Sequence, residues 1–481
     1  MDTILLLFLF LALLVVVGIA GGALYLINTN GKKDAETTQS PTSLSSSTST
    51  STSTSSSSSS SSGGGPAERA RQLQQQQRLV SSPLKVLDPY KSKRGGRDLH
   101  KLETNRFVFW YGDALPGTET RGTFTSQLSK AAIAVEIWWD YLGTGLGYTM
   151  NKRVPADTFK YNIYLMSTGC EQPVDPGAAV SGVLAAYRDD LVGTMGIKAE
   201  SRFIVTSFGA LSHELTHLAQ SRTGGFVNNA LSGNMWENSA EYMSGRLLMK
   251  HDVPTMVGAK IQRIHTWMQS HWKCIASDDP SDKFKYNGYL WWAWLEGKFG
   301  LTFPGKMWSQ ASLVGKGEPQ IEAAVRLGKF KDTRDLWGQW ISGALRWSYS
   351  PEWKSVIETY RKVDRNLYPT WDDVKRAWTV TGKSVTPKVK LERWGFVYMK
   401  PADAEYKSIV PSTYTATFVA KPGAGYIMVV VDLDAKTPAP IVYGGSATAK
   451  TVKLKKTQNI ILAVAMADRA STMTGFSISF S

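Results

Sequence analysis

The 481-residue sequence is poor in cysteine and in histidine. Its only two cysteines, Cys170 and Cys274, exclude both a scaffold stapled by several disulfides and a cysteine-rich metal site. One disulfide between them and two buried thiols both stay open as interpretations. Disorder of the whole chain is also excluded, because 42% of the residues are hydrophobic and 17 are tryptophan. A chain of this length and composition is expected to form two or three domains with a large core.

Acidic residues are outnumbered by basic ones. The 40 aspartates and glutamates stand against 55 lysines and arginines, which gives a formal net charge of +15. Such a charge is typical of proteins that meet phospholipid headgroups, acidic polysaccharide or nucleic acid, and it is equally typical of a solvated basic surface. The sequence has no recognised nucleic-acid-binding motif, so we do not expect a nucleic-acid partner.

The first thirty residues contain almost no charge. The run from Ile4 to Ile27 is wholly uncharged, and as a helix it would be about 36 Å long, enough to cross a bilayer with some tilt. Only Asp2 precedes this run, where a signal peptide would have a basic segment. Residues 1–30 are therefore predicted to be an uncleaved transmembrane anchor, with the membrane contacted through residues 4–27.

Residues 31–101 lack the apolar side chains that a core requires, and we predict a disordered stalk. Residues 42–62 are almost wholly serine and threonine, a composition that is often O-glycosylated outside cells. Lys32 and Lys33 argue for the opposite orientation, because basic residues beside a membrane span usually face the cytoplasm. The basic stretch 91–97 is interpreted as the end of the linker. We favour a globular part that is extracellular, lumenal or on the surface of a virion or cell.

The globular part is predicted to begin at Leu102 with alternating strands and helices. Turn residues and apolar spacing predict a helix at 126–143 and strands at 107–112, 160–166, 178–187 and 201–208. The last of these strands leads into the segment SHELTHLAQ (212–220), which we expect to open a helix packed beneath a mixed sheet.

The segment SHELTHLAQ contains His213, Glu214 and His217 in the pattern His-Glu-x-x-His. On a helix, residues four apart project from one face, so the two imidazoles can bind one cation. A helix predicted at 234–249 carries Glu237 and Glu241, also four apart, and Glu237 can supply a third ligand. An accidental His-Glu-x-x-His pattern would not explain this second, acidic helix.

Two histidines and one glutamate form a typical ligand set for catalytic Zn²⁺. They leave a fourth position open for water, whose pKa zinc lowers to about 7. Glu214 is next to a ligand without being one, and it can accept a proton from that water. Glu241 is suited to accept a hydrogen bond from a ligating histidine and so to fix its tautomer.

HELTH followed by WENSAEY resembles the gluzincin group of zinc metallopeptidases, in which a glutamate about twenty residues after the motif is the third ligand. The resemblance covers roughly residues 105–300 and implies a zincin-like fold that hydrolyses a peptide or protein substrate. It implies that Glu214 is general base and then proton donor, and that a downstream tyrosine or histidine binds the oxyanion. The candidates for that last role are Tyr286 and Tyr289, and behind them His265 and His271. The Gly-x-Met-Glu-Asn signature of the aminopeptidase branch is absent, which favours an endopeptidase or an unusual specificity.

The predicted fold class is α+β. A zincin catalytic subdomain at 102–250 is followed by a helical subdomain at 251–385, where residues 321–328 and 333–347 form amphipathic helices. Residues 386–481 contain six short strand-like runs and are predicted to form a β-sandwich.

Two functional classes follow from this organisation. The first is a membrane-anchored zinc peptidase. The second is a catalytically inactive, zincin-like adhesion or structural protein whose β-domain binds an anionic glycan or a protein. Four lysines of that domain form a basic cluster: Lys450, Lys453, Lys455 and Lys456. The cluster is interpreted either as an anion-binding surface or as an exposed hairpin whose lysines guard an edge strand.

Overall fold

A computed structural model describes most of the chain between residues 84 and 481. The described residues are 84–88, 98–114, 120–149, 159–166, 168, 170, 182–187, 193–198, 203–223, 233–250, 264, 267–275, 286–311, 319–363, 378–406, 408–420, 425–435, 441–444, 449–455, 459–467 and 476–481. The predicted anchor at 1–30 lies outside them. Among the helices that are described, none is both long and apolar enough to cross a membrane.

The N-terminal half contains a five-stranded mixed sheet with the strand order β1-β2-β3-β5-β4. Its strands are β1 (His100–Glu103), β2 (Phe107–Tyr111), β3 (Tyr161–Met166), β4 (Gly182–Tyr187) and β5 (Gly193–Lys198). β2, β3 and β5 are parallel, whereas β1 and β4 pair antiparallel at the two edges. The sheet is therefore mixed, as the sequence pattern indicated.

Both faces of this sheet carry buried side chains. Phe107 and Ile163 on one face belong to the main hydrophobic core, which also contains the buried side of α1 (Arg121–Thr144). Val108 and Tyr164 on the other face form a small cluster that Val86 covers. Residues 84–88 already contact the sheet. The folded part therefore begins before Leu102, the residue at which the sequence pattern predicts its start.

Residues 203–208 are helical, so the strand predicted at 201–208 is wrong for the residues that the structure describes. Helix α2 (Phe203–Thr223) begins ten residues before His213, and the strand that precedes it is β5. A short apolar run rich in β-branched residues fits a helix or a strand equally well, and tertiary packing decides between them. Here Phe208 packs edge-on against Trp138 of α1, with ring centroids 5.2 Å apart.

The start of α1 also differs from the expectation. Thr120, rather than Ser126, is the N-cap, and its side chain accepts a hydrogen bond from the backbone N–H of Thr123. The helix is therefore longer than predicted by more than one turn at its N-terminal end, and the segment between Gly112 and Thr120 is correspondingly shorter.

Further helices form a tryptophan-rich lobe. They are α3 (Gly233–Lys250), α4 (Tyr289–Phe299), α5 (Phe303–Ala311), α6 (Pro319–Gly328), α7 (Thr333–Leu345) and α8 (Pro351–Val363). A buried ion pair joins α3 to α4, because Arg246 Nε donates to Glu296 Oε2 over 2.8 Å. The hydroxyl of Tyr242 donates to the same carboxylate.

The C-terminal part consists of two antiparallel sheets, ordered β11-β10-β13-β8 and β12-β9-β14-β7-β6. Their strands are β6 (Trp378–Thr381), β7 (Ser384–Pro387), β8 (Phe396–Met399), β9 (Thr413–Ala420), β10 (Tyr426–Asp432), β11 (Ile441–Gly444), β12 (Ala449–Lys455), β13 (Ile460–Met466) and β14 (Phe476–Phe480). The six runs predicted as strands are strands. The first strand begins at Trp378, before the start that was expected near residue 386.

The four-stranded sheet is buried on both faces. Met428 and Val430 of β10 point into a core shared with the five-stranded C-terminal sheet. Val429 and Val431 of the same strand point into the main core with the helical lobe. The two C-terminal sheets are therefore continuous with the rest of the fold, and the architecture as a whole is α+β.

Cys170 and Cys274 are both buried, and no disulfide joins them. Cys170 belongs to the small cluster on the outer face of the N-terminal sheet, together with Trp110 and Tyr164. Cys274 belongs to the main core. Of the two interpretations left open by the sequence, the structure has the buried thiols.

Candidate metal centre

Three side-chain atoms from α2 and α3 converge at one place. His213 Nε2 lies 3.0 Å from His217 Nε2 and 3.1 Å from Glu237 Oε2. His217 Nε2 lies 3.4 Å from the same carboxylate oxygen. Within the described part of the chain, these residues form the one group of three or more His, Cys, Asp or Glu side chains close enough to share a metal ion.

The crossing of α2 and α3 holds these residues together. Small side chains allow the two helices to approach closely: Ser212 Oγ lies 2.5 Å from Ser244 Oγ, and Ser244 Oγ donates to the carbonyl of Gly209 over 3.2 Å. Ser212 precedes His213, and Ser244 lies one turn beyond Glu241. The helix contact therefore sets the distance between the histidines of α2 and the glutamates of α3.

Glu241 lies beside Nδ1 of His213. Its Oε1 lies 3.2 Å from His213 Nδ1, and the Glu241 carboxylate is almost wholly buried. An ionised carboxylate can only accept, so the proton of the neutral imidazole belongs on Nδ1. His213 Nε2 then presents its lone pair to the other two ligand atoms. The contact puts Glu241 where it could orient His213, the role that the sequence pattern predicts.

The distances between the three converging atoms fit a metal ion. Bonds of about 2.0–2.1 Å in a tetrahedral arrangement place two ligand atoms about 3.3 Å apart, close to the separations of 3.0, 3.1 and 3.4 Å. Lone pairs or negative charges at this distance repel each other unless a cation lies among them. The donor set of two imidazoles and one carboxylate can therefore hold a divalent metal ion.

Without a metal ion, a proton takes the place of the cation. Burial lowers the pKa of His213, but hydrogen bonds and charge from Glu237 and Glu241 outweigh burial and raise this pKa to about 9. Burial raises the pKa of Glu237, yet its contacts with His213 and His217 hold it well below the usual range. The site is thus built to keep positive charge among its side chains.

Glu214 lies beside this charge and is itself buried, with 9% of its surface exposed. Burial raises the pKa of its carboxyl group above the ordinary value, while the charges of His213 and His217 act in the opposite direction. A carboxylate with a raised pKa is a stronger base, which suits the role of a proton acceptor.

The structure separates the two candidate tyrosines. The ring of Tyr286 lies against that of His213, with centroids 6.0 Å apart. Tyr289 is fully buried and packs edge-on against Trp353. The hydroxyl oxygen of Tyr289 lies against Gly245, since a Cβ atom added to that glycine would be 2.0 Å from it. Gly245 is two turns, or about 12 Å, along α3 from Glu237. Only Tyr286 of the two stands at the metal centre.

The two remaining candidates for binding the oxyanion are His265 and His271. His265 lies outside the described residues. His271 is buried between the helical lobe and β8, with its ring 5.2 Å from those of Phe396 and Tyr398. Burial lowers its pKa to about 4, and Nδ1 bonds to the carbonyl of Met268. These contacts make His271 a neutral core residue.

One functional contact was not predicted from the sequence. Gln220, three residues after His217 on α2, lies with its Oε1 2.8 Å from His217 Nδ1. The signal was present in HELTHLAQ, because a side chain at the third position after a helical residue lies on the same face. Glutamine is rarely considered beside a metal motif, since it carries no charge.

Three lysines of the basic cluster, Lys450, Lys453 and Lys455, belong to β12, which is an edge strand of its sheet, and Lys456 lies outside the described residues. Lys453 is exposed there, between the buried Val452 and Leu454. β12 pairs with β9 and is not part of a hairpin with β11, which belongs to the other sheet. The edge-strand part of the earlier interpretation therefore agrees with the structure, and the hairpin part does not.

The fold and the site define an α+β protein with a candidate metal centre at a helix crossing. A family of unknown function, DUF6055, matches residues 73–401, about two thirds of the chain, and the protein belongs to this family. The match covers the N-terminal sheet, the metal centre, the helical lobe and the first strands of the C-terminal part. No curated protein matches the chain.

Proposed function

We propose that the protein is a zinc-dependent peptidase. The observation that carries this proposal is the convergence of His213 Nε2, His217 Nε2 and Glu237 Oε2 within 3.4 Å of each other, with Glu214 beside them. Two histidines and one glutamate are a ligand set of catalytic zinc sites. When bound, zinc would supply a Lewis acid that polarises a carbonyl group and lowers the pKa of water to about 7.

The side chains of this chain have distinct roles in the proposal. Glu214 accepts a proton from the attacking water on its carboxylate and donates it to the leaving nitrogen. Glu241 and Gln220 hold the two imidazoles in their orientation through the Nδ1 atoms. Tyr286 stands beside His213 and is the candidate donor of a hydrogen bond to the carbonyl oxygen as it gains negative charge.

The sheet topology favours an extended peptide as substrate. β4 is an edge strand of the N-terminal sheet and packs against α2, the helix that carries both histidines. An edge strand offers unpaired backbone donors and acceptors, to which a peptide can add as a further strand. This arrangement supports an endopeptidase, because a peptide lying along β4 needs no free terminus. Residues 4–27, outside the described part, are the proposed membrane anchor.

The test is Glu214→Gln in the full-length protein, assayed against a peptide library with and without a zinc chelator. We expect wild-type cleavage that the chelator abolishes. The variant should keep its zinc and its fold and lose cleavage by about a hundredfold to ten-thousandfold, because an amide cannot take up the proton. Glu358→Gln, which changes an exposed carboxylate on α8, is the matched control and should cleave as the wild type does.

Wild-type cleavage by Glu214→Gln would refute the mechanism. Zinc binding without any cleavage by the wild type would instead favour the alternative, a zincin-like domain that serves as a scaffold. In that case the C-terminal sheets, with the exposed Lys453 on edge strand β12, become the first place to seek binding of an anionic glycan or protein.

A further inference from the structure

Gln220 is a fully buried polar residue whose two amide atoms both contact the ligand-bearing segments. Its Oε1 lies 2.8 Å from Nδ1 of His217. Its Nε2 donates to Ser239 Oγ over 2.7 Å and to the backbone carbonyl of Trp236 over 3.2 Å. Trp236 and Ser239 flank Glu237 on α3, so one side chain touches the surroundings of two of the three converging residues.

The backbone carbonyl of Trp236 fixes which way the amide of Gln220 points. A carbonyl oxygen can only accept, so the NH₂ group must face it and the amide oxygen must face His217. That oxygen is also only an acceptor, which requires a proton on His217 Nδ1. The lone pair of the neutral imidazole is then on Nε2, the atom directed at His213 and Glu237.

The network continues away from the site. Ser239 Oγ, which accepts from Gln220, also accepts from the indole N–H of Trp308 on α5 over 3.1 Å and donates to the carbonyl of Trp236. The amide of Gln220 is therefore held by groups on α3 that are themselves held by the helical lobe. Such fixed surroundings leave the side chain one orientation.

We propose that Gln220 is a positioning residue of the metal centre. It sets the tautomer and ring orientation of His217 and, through Trp236 and Ser239, fixes the place of Glu237 relative to α2. Each ligating histidine thus has its own buried acceptor, Glu241 for His213 and Gln220 for His217. The proposal rests on the metal site put forward above, and it adds a neutral acceptor supplied by the same helix as the histidine.

The experiment compares zinc affinity in the full-length wild type and in Gln220→Met, Gln220→Glu and Gln320→Met, by competition with a chromophoric chelator. Gln220→Met fills the space without an acceptor and should bind Zn²⁺ about tenfold to a hundredfold more weakly. Gln220→Glu keeps an oxygen toward His217 and should recover most of that loss, and the part that it does not recover reports the donor to Trp236 that helps to place Glu237. Gln320, equally buried on α6, is the matched control, and Gln320→Met should leave the affinity unchanged.

Thermal unfolding of the metal-free proteins separates positioning from general stability. Both Gln220 variants lose a buried hydrogen bond and should unfold at lower temperature than the wild type. If Gln220 had only a structural role, zinc affinity would fall together with stability in both variants. The proposal instead requires that zinc affinity falls in Gln220→Met and recovers in Gln220→Glu. Should Gln220→Met fail to fold, Gln220→Asn replaces it, since the shorter side chain withdraws the oxygen from His217 and should weaken binding similarly.

The outcomes are distinct. Equal zinc affinity of Gln220→Met, or of Gln220→Asn, and the wild type would overturn the role of Gln220 and leave the metal site standing. Equal losses in the Met and Glu variants would show that the acceptor is not what matters, and would also overturn the proposal. A wild type that binds no zinc would overturn the metal site itself, and the proposal with it.

Discussion

Replacement of Glu237 is the most direct test of the metal centre. Its Oε2 lies 3.1 and 3.4 Å from the two histidine nitrogens, so it is the one acidic atom shared by both. Structural zinc sites with four ligands bind with apparent free energies of about 10–16 kcal/mol, or roughly 2.5–4 kcal/mol for each ligand. Glu237→Ala should therefore weaken zinc binding by about a hundredfold to a thousandfold.

The assay is chelator competition at neutral pH, followed by metal analysis after dialysis. Glu237→Gln keeps an oxygen but loses the charge, so its affinity should fall between those of Glu237→Ala and the wild type. Glu358→Ala on the exposed side of α8 is the matched control and should leave affinity unchanged. If Glu237→Ala bound zinc as tightly as the wild type does, the ligand assignment would be refuted, because a residue other than Glu237 would then be the third ligand.

Two further predictions concern buried charge. In the metal-free protein, NMR titration of the histidine rings should find a pKa of about 9 for His213 and about 4 for His271, and zinc should abolish the His213 titration. Because the pKa of His213 is raised, its protonation stabilises the metal-free fold fully below about pH 6.5, and this effect is lost as the pH rises through 9. His271, whose pKa is lowered, destabilises the fold as the pH falls from about 6.5 toward 4. A single pKa near 6.5 for both histidines would contradict these environments. Glu296→Leu should lower the free energy of unfolding by about 3–5 kcal/mol in urea denaturation, because it leaves Arg246 buried without its buried carboxylate partner, and adding Arg246→Met should recover much of the loss. A loss below about 1 kcal/mol would show that the exposed Glu352, 3.7 Å from Arg246, compensates.

The grouping of His213, His217 and Glu237 was predictable because its signal is local. Residues 213 and 217, and residues 237 and 241, are each spaced four apart, and helical spacing alone brings each pair to one face. The approach of α2 to α3 is not local. It depends on Ser212 meeting Ser244 and on the carbonyl of Gly209 accepting from Ser244, and small residues at those positions are common in helices for other reasons.

The errors lie where tertiary packing overrides local preference. The segment 201–208 has the β-branched residues of a strand, yet residues 203–208 form the start of α2. β5 has the opposite character, because two glycines and a lysine in GTMGIK weaken a strand pattern, and it lies between two hydrogen-bonded neighbours. Likewise, Tyr286 and Tyr289 are indistinguishable by sequence. α4 begins at Tyr289, so one turn of the chain separates a side chain at the site from one in the core.

The C-terminal sheets bear on the choice between the two functional classes. In β10 and β13 nearly every residue is buried, as the runs YIMVVVD and IILAVAM suggest, because one side of the four-stranded sheet faces the helical lobe. Trp394, just before β8, packs at a tilt against Trp337 of α7 with ring centroids 4.9 Å apart, and Thr333 donates to the carbonyl of Ala467. Removal of residues 386–481 would therefore expose part of the main core, and a loss of binding or of cleavage after such a truncation would say nothing about where a ligand binds. Only a change on the outer face, such as charge reversal at the exposed Lys453, separates an adhesive role of these sheets from their role in holding the helical lobe.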